Sequence, residues 1–203
     1  NYRIEQLNDP RFTLIKENAS FLSPHELKVG QNIVRAESFI IATGSIVAEF
    51  PVPGLKDSNF LTSDDVLELR QTPKSMVVLG AGPVAVELAQ FFCRIGTRTT
   101  LIQRSNHILS KGDTDLAYPV ETRFREEGME LYTGTKLLRV ESFGDNHTIF
   151  FTHKGNEKSV TSKTILQALG RKPNIDGLNL AAALINTNKG RIEVDKEMRT
   201  NVP

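Results

Sequence analysis

A string of small residues, Gly80, Gly82 and Ala85, has the spacing G-x-G-x-x-A. It lies in the stretch MVVLGAGPVAVELAQFFCRIGTRTTLIQR, which reads as a strand, a turn, a helix and a second strand. In such a unit Gly80 permits the tight turn, Gly82 lets a pyrophosphate approach the backbone, and Ala85 lets the helix pack on the strand. Pro83 suits the first helical turn, where its missing N–H is not needed. The pattern predicts a dinucleotide-binding site; the alternative is a turn with small residues for packing alone.

The end of the second predicted strand distinguishes between the two dinucleotides. An acidic residue there accepts hydrogen bonds from a ribose 2′-hydroxyl and favours NAD, whereas a basic residue pairs with a 2′-phosphate and favours NADP. Gln103 and Arg104 occupy this place, Lys111 follows, and no carboxylate is present. The sequence therefore predicts NADP(H); NAD(H) is the alternative if Arg104 is an ordinary solvated loop residue.

The flanking patterns predict an α/β protein with a Rossmann-like parallel sheet. Residues 1 to about 50 read as the end of a helix and several strands, and the prolines and glycine of FPVPGL mark a boundary. A helix is predicted within 112–130. The runs KLLRVESF, HTIFFTH and KTILQALG are predicted to form an antiparallel meander over about 135–168, because turn residues separate them.

Composition excludes several classes of protein. The formal net charge of +1 gives no support for nucleic-acid binding. No apolar run approaches the roughly 18 residues that a membrane span needs. The single cysteine, Cys93, cannot form an internal disulfide, and the four histidines show no metal-ligand spacing. We expect a cytoplasmic protein with a small-molecule dinucleotide as its partner and with no bound metal.

Three motifs occur in a characteristic order: ATGS at 42–45, GAGPVAVE at 80–87 and ALGRKPN at 168–174. In this order they resemble the FAD-dependent pyridine nucleotide-disulfide oxidoreductases, and the helix text is most similar to the mercuric reductase and dihydrolipoamide dehydrogenase branch. The resemblance covers nearly the whole chain. It implies residues 1–50 as part of a β-rich FAD domain, 51–170 as the NAD(P)H-binding domain, and 171–203 as a connector back to the FAD domain.

The resemblance also assigns roles to individual residues. Those matching the pyrophosphate turn are Gly80, Gly82, Pro83, Val84 and Ala85. Gln103 and Arg104 match the end of the second strand, where Arg104 would hold the 2′-phosphate.

Further matches concern the flavin. Glu87 matches a glutamate that pairs with a lysine beside the flavin, although a solvated helix carboxylate is the plainer interpretation. Thr43, Gly44 and Ser45 match a segment that lies against FAD. Gly170 and Arg171 match a second such segment, in which Leu169 replaces the usual threonine and so weakens the match.

By resemblance, the parent enzyme passes a hydride from NADPH through FAD to a redox disulfide and its substrate. Two alternatives stay open: a stand-alone dinucleotide-binding sensor, and a flavin NADH oxidase or ferredoxin reductase without a paired disulfide. The electron acceptor, whether mercuric ion, lipoamide, glutathione or another, is not fixed by these residues.

The chain opens without an initiator methionine and contains no redox cysteine pair. We therefore expect a piece of a longer protein that contributes no catalytic residue and does not turn over by itself. The parent is expected to be a homodimer, and the piece a monomer.

Overall fold

The computed structural model describes residues 9–203. They form two compact units, one of residues 9–46 with Lys172–Pro203 and the other of Val47–Arg171. The segment Lys172–Pro203, within the stretch expected to connect back to the FAD domain, belongs to the same unit as the N-terminal segment. The helix predicted at the N-terminus lies outside the described residues.

The first unit is built on a small antiparallel sheet. Its strands β1 (Ala19–Ser23), β2 (Glu26–Val29) and β3 (Asn32–Arg35) pair in chain order. A 3-10 helix at Leu180–Ala183 covers the sheet, and its Leu180 and Ala183 are buried with Phe21 of β1. Asn179 donates a hydrogen bond from Nδ2 to the carbonyl oxygen of Phe21 over 2.9 Å, which joins the two stretches of this unit.

A smaller sheet consists of two short strands. They are β4 (Ser45–Val47) and β12 (Arg171–Pro173), and they pair as a two-stranded sheet. A further hairpin of the first unit consists of β13 (Thr187–Asn188) and β14 (Arg191–Ile192).

The second unit is centred on a parallel sheet. Strands β5 (Ser75–Leu79), β6 (Arg98–Ile102), β7 (Glu130–Tyr132) and β11 (Thr164–Gln167) pair in the order β11-β5-β6-β7. Every residue of β5 is buried, as expected for a central parallel strand covered on both faces. The α/β class with a parallel sheet and antiparallel sheets is thus confirmed.

Two helices cover one face of this sheet. They are α1 (Pro83–Arg94) and α2 (Thr114–Glu126). Helix α1 buries Ala85, Ala89 and Phe92, which recur at helical spacing on one stripe. Met76 and Val78 of β5 belong to the same buried cluster as this stripe, so alternate residues of the strand face the helices.

An antiparallel meander covers the other face. It consists of β8 (Thr135–Phe143), β9 (Asn146–His153) and β10 (Asn156–Ser162). Val77 and Leu79 of β5 are buried in one cluster with Ile149 and Phe151 of β9. The parallel sheet is therefore the middle of three layers.

The prediction for the third meander strand was wrong. KTILQALG was assigned to the meander, but Thr164–Gln167 within it forms β11 and pairs in parallel with β5. The third meander strand is Asn156–Ser162, whose largely exposed polar residues show little apolar alternation. Three buried residues in succession show that β11 is covered on both faces, as is typical of a parallel strand.

Glu127, the residue after α2, ties the two helices together. Its carboxylate accepts hydrogen bonds from Arg94 Nη2 over 2.6 Å, Arg123 Nε over 2.7 Å and Gln90 Nε2 over 3.0 Å. These bonds, that of Arg94 first and that of Gln90 next, hold the pKa of Glu127 at about 2. The charged form is therefore favoured in the folded protein.

This pKa predicts a pH-dependent contribution to stability. Because it lies below the value of about 4.3 for an unfolded glutamate, the stabilisation is complete above that pH and is lost as the pH falls towards 2. We expect Glu127→Gln to lower the Tm at pH 7 and to lower it by less at pH 3, as measured by circular dichroism. The matched control is Glu126→Gln, because Glu126 is exposed and, among residues 9–203, pairs with Arg123 alone, at 3.3 Å. An equal Tm difference at both pH values would contradict the prediction.

Candidate functional site

The glycine turn lies at the carboxyl end of the central strand β5. Gly80 donates its N–H to Ile102 O of β6 over 2.9 Å, while on the other side Ala168 donates its N–H to Leu79 O over 2.9 Å. From β5 the chain continues to α1 and then to β6, whereas β11 lies on the opposite side of β5. The strand order thus reverses at β5, and ligands of open α/β sheets bind outside the carboxyl ends of the strands at such a point.

Gly80 is required by the protein's own backbone. Its φ is +101°, a conformation that residues with a Cβ rarely adopt. A Cβ at this position would lie 2.4 Å from the carbonyl oxygen of Ala168. Gly80 therefore lets β5 turn away beside β11 without a clash.

Gly82 is not required in this way. Its φ is −73°, which any residue can adopt, and a Cβ built on it would meet no atom within 4 Å. Neither backbone strain nor packing within the chain accounts for a glycine here. A ligand that approaches the backbone closely does account for it, so the open space fits a pyrophosphate.

Helix α1 begins directly after this glycine. Pro83 is its first residue, and no side chain caps its N-terminus. The first N–H groups of an α-helix have no intrahelical partner, and together with the helix dipole they attract an anion. Val84 is half exposed and Ala85 is buried in the core, so this first turn packs on the sheet through Ala85 and leaves Val84 accessible.

The end of β6 presents an arginine. Gln103 is buried, with its backbone fixed by hydrogen bonds to Tyr132 and Thr135. Arg104 is exposed, and within residues 9–203 its guanidinium has no hydrogen bond or ion pair. The segment that connects β6 to α2, residues 103–113, contains no acidic residue before Asp113. A basic side chain is thus available at the place where the ribose of a dinucleotide is expected.

This segment, which we call the β6–α2 loop, contacts the glycine turn. Leu109 donates its N–H to the carbonyl oxygen of Ala81 over 2.8 Å, and its φ is +50°. Ile108 is completely buried, and its N–H is bound by Glu121 Oε1 over 3.0 Å. Sequence reasoning missed Glu121; a carboxylate on the inward stripe of α2, between Ala117 and Phe124, was the signal that could have revealed it.

Glu87, on α1, is exposed, and within the described part of the chain it has no ion-pair partner. Its assigned pairing with a lysine beside a flavin stays a prediction.

In the first unit, Thr43 and Gly44 are held by Asn174. The N–H of Asn174 bonds Gly44 O over 3.0 Å, and its Nδ2 bonds Thr43 O over 3.3 Å. Gly44 has a φ of +70° and open space where a Cβ would lie, and Ser45 begins β4. Residues of two motifs that are 131 positions apart in the sequence, Thr43 and Asn174, are therefore joined here. A role towards a flavin stays a prediction.

In the second unit, Gly170 and Arg171 contact their own surroundings. Gly170 O accepts a hydrogen bond from the N–H of Ala48 over 3.1 Å. The Nη1 of Arg171 lies 3.3 Å from Asp64 Oδ2 and 3.4 Å from Ser63 Oγ. Arg171 thus already neutralises a carboxylate, and a role towards FAD stays a prediction.

Three further observations limit what the described residues can do. Burial raises the pKa of the Cys93 thiol, and the charge of Glu127 raises it further, so little thiolate forms at neutral pH. Among residues 9–203 no three histidine, cysteine, aspartate or glutamate side chains cluster as metal ligands. No helix in the same range is long and apolar enough to cross a bilayer.

The fold defined by these elements is that of a flavoprotein disulfide reductase. The HOCl-induced flavoprotein disulfide reductase RclA from Escherichia coli, solved as a Cu(II) complex, superposes with a TM-score of 0.89 and 25% sequence identity. The match covers 100% of this chain and 46% of that chain. Residues 1–203 match the family described as pyridine nucleotide-disulphide oxidoreductase, and the chain belongs to this family.

Two curated relatives support the assignment. The mercuric reductase of Staphylococcus aureus is 35% identical over 200 residues, which are 98% of this chain and 36% of the relative. The dihydrolipoyl dehydrogenase of Bacillus subtilis (strain 168) is 32% identical over 194 residues, which are 94% of this chain and 42% of the relative. The chain thus spans well under half the length of these relatives.

Replacing each of the two glycines of the turn by alanine should affect the stability of the protein differently. Gly80→Ala forces a left-handed backbone and a clash, so we expect the free energy of unfolding to fall by about 1–3 kcal/mol or more. Gly82→Ala is tolerated by the backbone, and we expect its free energy of unfolding to change by less than about 1 kcal/mol.

Nucleotide affinity of the folded Gly82→Ala variant should fall by about ten-fold or more, since the new methyl group occupies the ligand's space. Urea unfolding and calorimetric titration measure the two quantities. A folded Gly82→Ala variant with unchanged affinity would contradict the assignment.

Proposed function

We propose that the chain is the NAD(P)H-binding part of a flavin-dependent disulfide oxidoreductase. The observation that carries this proposal is Gly82, a glycine that neither its φ nor its neighbours require and that directly precedes an uncapped helix. The family assignment supports the same function. The nicotinamide of the nucleotide supplies a hydride, and a flavin held by the longer protein would accept it.

The residues of the turn would bind the nucleotide in a definite way. The open space at Gly82 would admit the pyrophosphate, and the N–H groups of the first turn of α1, from Val84 onwards, would donate hydrogen bonds to it. Ala85 would keep the helix close to the sheet, so that these N–H groups point along the edge where β5 ends. The contribution of the protein at this site is binding and orientation.

The basic end of β6 favours NADP(H). Arg104 is exposed and unpaired within residues 9–203, and Lys111 lies at the far end of the same loop. A guanidinium can bind a 2′-phosphate through two parallel hydrogen bonds, whereas the loop before Asp113 offers no carboxylate to a ribose 2′-hydroxyl. NAD(H) would have to bind without that contact.

Thr43, Gly44, Ser45 and Gly170 are proposed to lie against FAD in the longer protein. Support comes from the family match and from the open, left-handed backbone at Gly44. We further propose that the longer protein is a cytoplasmic homodimer. Relatives are named for mercuric ion and for the dihydrolipoyl group, and a reducible acceptor of this general kind is proposed here without a choice between them.

The cofactor choice is tested by calorimetric titration of the chain with NADPH and with NADH. We expect tighter binding of NADPH, and we expect Arg104→Ala to weaken NADPH by about ten-fold or more while NADH changes little, because one charge-assisted contact is lost. Arg98→Ala is the matched control, since Arg98 is also exposed but begins β6 at its opposite end. Equal or tighter binding of NADH would overturn the NADP(H) proposal and leave the dinucleotide site in place.

A further inference from the structure

We propose that Glu121 is a positioning residue for cofactor choice: by holding the backbone of the β6–α2 loop, it places Arg104 and Lys111 to receive a 2′-phosphate. This inference rests on the proposed function of the glycine turn. It concerns a buried side chain that would not itself touch the nucleotide.

The β6–α2 loop is fixed at several points. At its start, Gly134 donates its N–H to Ser105 O over 2.8 Å. In its middle, the side chain of Ile108 is fully buried in the core, and Leu109 N–H bonds Ala81 O. Near its end, Gly112 donates its N–H to Leu109 O over 2.8 Å. The loop is therefore a defined structure in contact with the glycine turn.

Glu121 holds the centre of this loop from the side of α2. Its Oε1 accepts the N–H of Ile108 over 3.0 Å, and Oε2 lies 3.4 Å from Nη2 of Arg125. The side chain is nearly buried although its neighbours on the stripe, Ala117 and Phe124, are apolar. Carboxylates are rarely placed in such a position unless they are paired, and here one oxygen is committed to the loop backbone.

The backbone conformation of Leu109 shows why the loop needs hydrogen bonds that hold it in place. A leucine with a φ of +50° is strained and persists only where its surroundings hold it. The residue before it is held by Glu121, and its own N–H is held by Ala81. Loss of the Glu121 bond would let the segment around Leu109 relax between the hydrogen bonds that hold the loop at Gln103 and Ser105, and the basic residues on either side of it, Lys111 and Arg104, would be less well placed.

If the role of Glu121 were purely structural, its loss should affect the binding of the two nucleotides differently from a positioning role. If the bond only stabilised the fold, its loss would affect both nucleotides equally, since both use the same pyrophosphate turn. If it positions the loop, its loss would weaken NADPH and spare NADH, because only the 2′-phosphate depends on the loop's basic residues. The ratio of the two dissociation constants therefore separates the two roles.

Two conservative substitutions of Glu121 distinguish the effect of side-chain length from the effect of charge. Glu121→Gln keeps an oxygen at the same distance from the Ile108 N–H but removes the negative charge. Glu121→Asp keeps the charge but is one methylene too short to reach. The dissociation constants of NADPH and NADH are measured by calorimetry for both variants, and circular dichroism records their folding. Glu126→Asp is the matched control, because Glu126 lies on the exposed face of α2.

We expect Glu121→Asp to reduce the preference for NADPH by about ten-fold, with NADH binding unchanged, because the loop would no longer hold Arg104 and Lys111 in place for their charge-assisted contacts with the 2′-phosphate. Glu121→Gln and Glu126→Asp should keep the wild-type preference. An unchanged preference in Glu121→Asp, or an equal loss for both nucleotides, would overturn the inference. Failure of the proposed function is distinct from this, because the wild-type chain would then bind neither nucleotide or would prefer NADH.

Discussion

The close approach of two parallel strands at their carboxyl ends is the constraint on which the second unit depends. β5 and β11 are neighbours, and the carbonyl oxygen of Ala168 occupies the space where a Cβ of residue 80 would lie. Because Gly80 has no side chain and adopts a left-handed φ, the chain can leave β5 at this point and begin α1 after only a few residues. The uncapped start of α1, the open space at Gly82 and the contact with the β6–α2 loop all follow from this turn.

Much of this arrangement could be predicted from the sequence because it depends on local patterns. The apolar run of β5, the small residues of the turn and the stripe of α1 each obey a short-range rule, and the predicted α/β fold was correct. The assignment of β11 to the meander failed for a physical reason. A four-residue buried strand has no alternation, and only its tertiary partner, β5, distinguishes it from an antiparallel strand.

The residues around the site show which of its features could be predicted from the sequence and which could not. Arg104 could be placed from its distance along the chain after the glycine turn. The sequence shows Glu121 only as a carboxylate on the inward stripe of α2, and its contact with Ile108, 13 positions away, could not be predicted. Arg171 matched a motif, yet the structure gives its guanidinium an ion pair with Asp64, which is 107 positions away. Contacts of this kind arise from the tertiary fold, and sequence spacing does not reveal them.

Two glutamates, at the two ends of the segment 121–127, illustrate how the position of a charge determines its role. Glu127 directly follows α2, where Arg94 and Arg123 donate hydrogen bonds to it, and its ionised form stabilises the packing of the two helices. Glu121 lies on the buried stripe, where it meets a backbone N–H of the loop instead. Helix packing and loop placement therefore depend on separate carboxylates.

The proposed nucleotide site also consists of two parts that depend on different groups. The pyrophosphate contact would use backbone N–H groups whose position follows from the glycine turn, whereas the contact with a 2′-phosphate would use side chains at the two ends of the β6–α2 loop. These two parts are joined by the Leu109–Ala81 hydrogen bond, and the loop is further held from α2. On this proposal, a change in the loop would alter the choice between nucleotides, whereas the turn would continue to bind the pyrophosphate that they share.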